Sequence, residues 1–112
     1  MGGWRFCMHE NLDDRGFRIY VFYMNTWDEE KRAKTLAERG LDFADAEQVF
    51  GGVTITMEDI REDYGECRFV SVGFLNDRIV VVVWTPRDDG KRIISMRKAN
   101  DREVKKFAPD LG

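Results

Sequence analysis

Apolar residues change their spacing several times along this 112-residue chain, and each change predicts an element. Residues 1–16 (MGGWRFCMHENLDDRG) show no period and read as an extension, an arm or a short strand. Phe17 to Met24, FRIYVFYM, is aromatic and β-branched and predicts a strand. Asp28 is placed to cap a helix from Glu29 to Arg39, because its carboxylate can accept backbone N–H bonds. Glu29 and Glu30 suit the positive end of that helix, and Gly40 falls where a terminating glycine belongs. Ala33, Leu36 and Ala37 give it a narrow apolar stripe. A shorter helix follows from Asp42, with Phe43, Ala46, Val49 and Phe50 on one face and Gly51-Gly52 at its end. Strands are predicted at 53–57, 68–75 and 78–85, with a charged loop at 58–65 and a tight turn at Asn76-Asp77.

The run from Ile79 to Trp84 is six apolar residues long, a length that favours a buried strand over a core helix. A polar turn around Asp88, Asp89 and Gly90 leads to a strand at 92–96, and Asn100…Glu103 forms a capping pair for a last helix at 101–107. The order β-α-α-β-β-β-β-α predicts an α+β domain. Consecutive strands with no helix between them pair antiparallel, so the expected architecture is an antiparallel sheet with the first two helices on one face and a short C-terminal helix.

Length and composition narrow the functional classes. The chain is long enough for one hydrophobic core, and 35% charged residues mark a water-facing domain. A run of six apolar residues falls far short of the ~20 needed to span a bilayer, so no membrane partner is expected. The first residues lack the basic-then-apolar pattern of a secretory signal, which predicts a cytoplasmic location. Cys7 and Cys67 are the two cysteines and His9 the single histidine, so reduced thiols and no zinc site are expected.

Net charge is −3, which by itself points away from nucleic acid, yet the charge is unevenly spread. Residues 28–66 carry twelve acids and five bases, whereas 78–107 carry nine bases and four acids. Arg87, Lys91, Arg92, Arg97, Lys98 and Arg102 lie on or beside one hairpin, an arrangement suited to a polyanion. Solvation of an ordinary surface explains such blocks equally well. His9 is a poor catalytic base, and Gly51-Gly52 lacks the lysine and following helix of a phosphate loop. The acids Glu58, Asp59, Glu62, Asp63 and Glu66 read as a solvated loop before they read as a cation site.

A site made of arginine, lysine and one or two acids can still cleave RNA. The substrate's 2′-hydroxyl is the nucleophile, and the protein orients it, takes its proton and stabilises charge at phosphorus. Arginine suits the last task, being permanently charged and bidentate toward phosphate.

Five segments together resemble the BrnT toxins, RelE-like ribonucleases of type II toxin–antitoxin systems: WDEEK (27–31), RGLDFADAEQVF (39–50), EDYGECR (62–68), VVVVWTPR (80–87) and RIISMRKANDRE (92–103). Met24-Asn25-Thr26-Trp27-Asp28 resembles the usual start of that family, so the 23 residues before Met24 go beyond it. FRIYVFY is β-prone enough to count as an added strand, which gives residues 1–16 as an extension and 17–112 as the single domain. The resemblance implies metal-independent cleavage of mRNA without a cofactor and neutralisation by a BrnA-type antitoxin in a heterotetramer. DNA would be met only through the antitoxin, as operon autorepression. Carried onto this chain, it implies a catalytic set of Glu66, Arg68, Arg87, Arg92 and Arg97. Glu66 would be the general base, Arg87 and Arg92 the phosphate clamp, Arg97 the stabiliser of transition-state charge, and Arg68 a positioning group. Lys31, Thr85 and Lys98 would bind RNA, although for Arg97 and Lys98 a surface ion pair competes, and Thr85 is also a natural strand residue. Arg39 replaces a histidine common in the family before Gly40, and Cys67 stands where a charged residue is frequent. A binding protein that keeps the antitoxin interface without cleavage is the alternative function. A small-molecule-binding domain has no positive feature behind it.

Overall fold

A computed structural model describes residues 10–12, 18–20, 24–87 and 90–112. Its elements are β1 (Glu10–Leu12), β2 (Arg18–Tyr20), β3 (Met24–Trp27), α1 (Glu29–Arg39), a 3-10 turn (Phe43–Asp45), α2 (Ala46–Gly51), β4 (Thr54–Glu58), β5 (Phe69–Leu75), β6 (Arg78–Arg87), β7 (Gly90–Lys98) and α3 (Asp101–Leu111). The α+β class expected from the pattern is present, as a five-stranded sheet in the order β3-β7-β6-β5-β4 and three α-helices.

The sheet is mixed, which corrects the expectation of a purely antiparallel one. Strands β4 to β7 follow one another as an antiparallel meander, but β3 runs parallel to β7, with Thr26 opposite Arg92 and Trp27 opposite Ile93. Helices intervene between β3 and the meander, so the hairpin rule leaves the direction of β3 open. The strand expected at 17–24 also divides. Arg18–Tyr20 pairs with Glu10–Leu12 in a separate two-stranded ribbon, the sheet strand starts at Met24, and positions 17 and 21–23 lie outside the described residues. Positions 88–89 of the expected turn likewise lie outside them.

Capping chemistry sets the helices as predicted. Asp28 Oδ1 accepts from the Glu30 and Lys31 backbone N–H groups, and Gly40 takes φ of 70° at the other end of α1. Asn100 and Glu103 form a reciprocal capping box on α3. That helix runs to Leu111, past the expected end at 107 and through Pro109. Phe107 and Leu111, one turn apart, are both buried, and their burial outweighs the backbone bond that Pro109 cannot make. The stripe on α1, in contrast, is not buried: no α1 residue is, and Leu36 is 43% exposed.

Alternation along the strands separates two cores. Phe69, Leu75, Val80, Val82, Trp84, Ile93 and Met96 meet Phe43, Ala46 and Val49 on one sheet face. Val72, Ile79 and Val81 meet Phe107 and Leu111 on the other. Gly73 admits the first layer closely, since a Cβ there would stand 3.0 Å from Val49 Cγ1 and 3.2 Å from the Val53 carbonyl oxygen. Among the described residues no helix is long and apolar enough to cross a membrane.

Candidate functional site

Register decides which cations share a face. Trp84 pairs with Ile93 and Val83 with Ser95, so Ile94 is an extra residue on β7, a β-bulge. Side chains alternate along a strand, and without the bulge Arg92 and Arg97, five positions apart, would point to opposite faces. With it, Arg92, Ser95 and Arg97 share the α3 face with their cross-strand partners Thr85, Val83 and Val81. Ile93 and Met96, only three apart, both enter the opposite core for the same reason. The α3 helix covers the Val72–Ile79–Val81 end of this face, while Val70, Val83, Arg92 and Ser95 near the other end are half-buried.

Arg87 pairs with Gly90 and Thr85 with Arg92, which makes Arg87 and Arg92 diagonal neighbours, about 7–8 Å apart at their origins. Arg87 donates through Nη2 to Glu66 Oε1 at 3.1 Å, and Arg68 donates through Nε to Glu66 Oε2 at 3.2 Å. Burial raises the pKa of the Glu66 carboxyl, but the bonds from Arg87 and Arg68 outweigh it and hold the group below the ordinary carboxylate value. The Arg68 guanidinium also lies 4.0 Å over the Tyr64 ring. The side chain of Arg92 makes no hydrogen bond or ion pair with another described residue, and it is half-buried beside Thr85.

Thr85 lies inside the structure, at 1% exposure. Its hydroxyl donates to the Cys67 carbonyl oxygen at 2.5 Å and accepts from Arg87 Nη1 at 3.4 Å. It therefore ties the loop carrying Glu66 and Arg68 to the strand carrying Arg87. Because Ile94 is the extra residue, Arg97 stands four ladder positions from Arg92, about 13 Å by strand rise. There it forms a two-pronged pair with Glu103 at 2.7 and 2.8 Å, which raises the Arg97 pKa and holds Glu103 at about 2. Lys98 pairs with Val80 and so projects from the opposite face, and it is exposed. Lys31 is exposed in the first turn of α1, joined to the other candidates by no hydrogen bond or ion pair among the described residues. The structure thus brings Glu66, Arg68, Thr85, Arg87 and Arg92 together, sets Arg97 at the far end of the same face, and places Lys31 and Lys98 elsewhere.

The acidic loop has more internal order than its charge pattern conveys. Asp59 has a side chain only 4% exposed, and its carboxylate accepts from Arg61 Nε and Nη2, both at 2.9 Å, and from the Tyr64 hydroxyl at 3.3 Å. The Arg61 bonds hold Asp59 at about 2. Asp59 N–H further donates to the Arg68 carbonyl oxygen at 2.8 Å, extending the β4–β5 ladder to the base of the site. Asp59, Arg61 and Tyr64 are thus site-building residues that charge counting missed. The signal was the D-x-R-x-x-Y spacing inside an otherwise uniform acidic run.

Two diagonal arginines beside an ionised carboxylate have the chemistry to hold a phosphodiester. The family model of the ribonuclease toxin BrnT, of type II toxin–antitoxin systems, matches residues 27–103, from the last residue of β3 to the capping glutamate of α3. The chain belongs to the BrnT family. As a BrnT protein it is a ribonuclease toxin of a type II toxin–antitoxin pair, and an antitoxin partner follows from that membership. The match includes every candidate position from Lys31 to Lys98, and β1 and β2 precede it. No match was found among curated proteins.

Proposed function

We propose that this BrnT chain is an endoribonuclease that cleaves mRNA without a metal ion, and that a BrnA-type antitoxin neutralises it in a heterotetramer. The observation that carries the reading is the diagonal Arg87–Arg92 pair, with Glu66 bridging Arg87 and Arg68 at its edge. A phosphodiester seated between the two guanidiniums takes over Arg87 from Glu66. The carboxylate, relieved of one cation, becomes more basic as the substrate arrives. Glu66 then accepts the 2′-hydroxyl proton, the 2′-oxygen attacks phosphorus, and the bond to the 5′-oxygen breaks as that oxygen takes a proton from water. The products carry a 2′,3′-cyclic phosphate and a 5′-hydroxyl.

Arg92 and Arg87 bear the charge that develops on the non-bridging oxygens, the work a metal ion does in other nucleases. Three acids on or near this face are engaged by protein groups: Glu66 by two arginines, Asp59 by Arg61 and Tyr64, and Glu103 by Arg97. Arg97, at its distance along β7, binds backbone flanking the scissile bond, and Thr85 acts by positioning Arg87 and the Cys67 carbonyl. Contact with DNA belongs to the antitoxin, and the site of action is the cytoplasm.

Expression of the chain alone should arrest growth with RNA decay, and its cognate antitoxin should restore growth. Normal growth at confirmed expression of folded protein would favour instead a binding partner that has lost cleavage.

A further inference from the structure

Among the described residues strand β4 is an edge of the sheet, hydrogen-bonded to β5 on one side. The side on which each β4 amide lies follows from one bond. Asp59 N–H donates to the Arg68 carbonyl oxygen, so Asp59 faces β5, and by alternation Met57 and Ile55 do as well. The N–H and C=O groups of Thr54, Thr56 and Glu58 therefore point outward. The 2.8 Å contact between Thr56 Oγ1 and Ser71 Oγ agrees, because side chains approach most closely at pairs that exchange no backbone bonds.

Natural edge strands are shielded by lysine, proline or a bulge. β4 reads TITME, holds neither lysine nor proline, and pairs with β5 in unbroken register. Its apolar side chains rise on the α3 side, where Ile55 packs with Phe107 and Leu111 while Met57 is 37% exposed. Val53, just before the strand, is 64% exposed, and Ile60, just after it, is 75% exposed. Beyond β4 the loop carries Asp59, neutralised by its pair with Arg61, and then Glu62 and Asp63, both exposed, so the strand ends at a rim that is acidic on balance.

We propose that an extended segment of the antitoxin adds to β4 as a sixth strand. The inference rests on the toxin reading, which supplies the partner. Its chemistry is read from the edge. Backbone bonds would run to Thr54, Thr56 and Glu58, alternate apolar side chains would cover Val53, Ile55 and Met57, and basic residues would flank the end beside Glu62 and Asp63. Charge selects this occupant over a second copy of the chain, whose own loop brings Glu62 and Asp63 again and a single cation, Arg61, already paired with Asp59. A strand seated there continues past the loop holding Glu66 and Arg68, so it obstructs RNA at the rim while the Arg87–Arg92 clamp is left uncovered.

Amide hydrogen exchange on the full chain, with and without its antitoxin, tests this directly. The amides of Thr54, Thr56 and Glu58 should slow by about tenfold or more in the complex, as solvent-facing groups become bonded. Thr56→Pro removes the outward N–H and should weaken antitoxin binding by about tenfold while RNA cleavage is retained. Thr56→Val loses the same hydroxyl but keeps the N–H, and should bind as the parent chain does. A complex that forms with these three amides unchanged overturns the inference and leaves the toxin reading intact. So does slowing of the same amides in the toxin alone at high concentration, which would assign the edge to a second copy. Failure of any complex to form overturns both.

Discussion

Arg92 is the cation on the open face whose guanidinium no described residue engages, and the protein keeps it half-buried beside Thr85. In the proposed mechanism the phosphodiester held between Arg92 and its diagonal neighbour Arg87 supplies the partner that this charge lacks. Replacing Arg92 by Ala should cost roughly 2–4 kcal/mol of transition-state stabilisation, a loss of about 30- to 900-fold in cleavage rate. Because the side chain holds no other residue, stability should change by less than roughly 0.5 kcal/mol. Cleavage assays beside a denaturation curve check both, and parent-like cleavage in folded Arg92→Ala would remove the residue from the site. Glu66, Arg87 and Arg92 were legible in the sequence because arginine and glutamate declare their chemistry by type. Side-chain direction was less so: Lys98, adjacent to Arg97, falls on the other face, and Thr85 is interior.

At the scale of elements, one inserted residue sets the site's polarity. Ile94 brings Arg92 and Arg97 to the same face, and no composition or period marks a bulge in RIISMRK. Local grammar was otherwise a good guide. The caps of α1 and α3 stand where Asp28, Gly40, Asn100 and Glu103 required, because a cap depends on residues within one turn. The parallel pairing of β3 and the run of α3 through Pro109 depend on distant partners, so neither could be read locally.

Helix α3 is also latched to β7 by Glu103 and Arg97, and this latch makes stability depend on pH. The Glu103 carboxyl lies at about 2 in the folded chain, below its ordinary value of 4.5, chiefly through the Arg97 bonds. Its contribution is thus complete above the ordinary carboxylate range and is lost as pH falls through that range toward about 2. Asp59, also held at about 2, acts in the same window. Denaturation midpoints should therefore fall on acidification from 4.5 to about 2. Glu103→Gln should be less stable near neutrality and lose less on acidification. Parallel curves for the two proteins would show that the latch carries no pH dependence.

Across the whole molecule, net charge is a poor guide to partner. The −3 total coexists with a sheet face bearing Arg68, Arg87, Arg92 and Arg97, because the acids concentrate in the helices and the 58–66 loop. Two of those acids, Glu66 and Glu103, reach back to pair with the arginines and occupy them in the absence of RNA. A pI near 5.2 is therefore compatible with a cationic site. The central claim is that protein cations, rather than a metal ion, stabilise the charge at phosphorus. It is tested most directly by incubating the purified chain with RNA in excess EDTA and identifying the new termini. Cleavage should persist and yield 2′,3′-cyclic phosphate and 5′-hydroxyl ends. Loss of cleavage in EDTA with recovery on adding magnesium, or products ending in 5′-phosphate, would contradict the mechanism and make Glu62, Asp63 and Glu66 metal ligands instead.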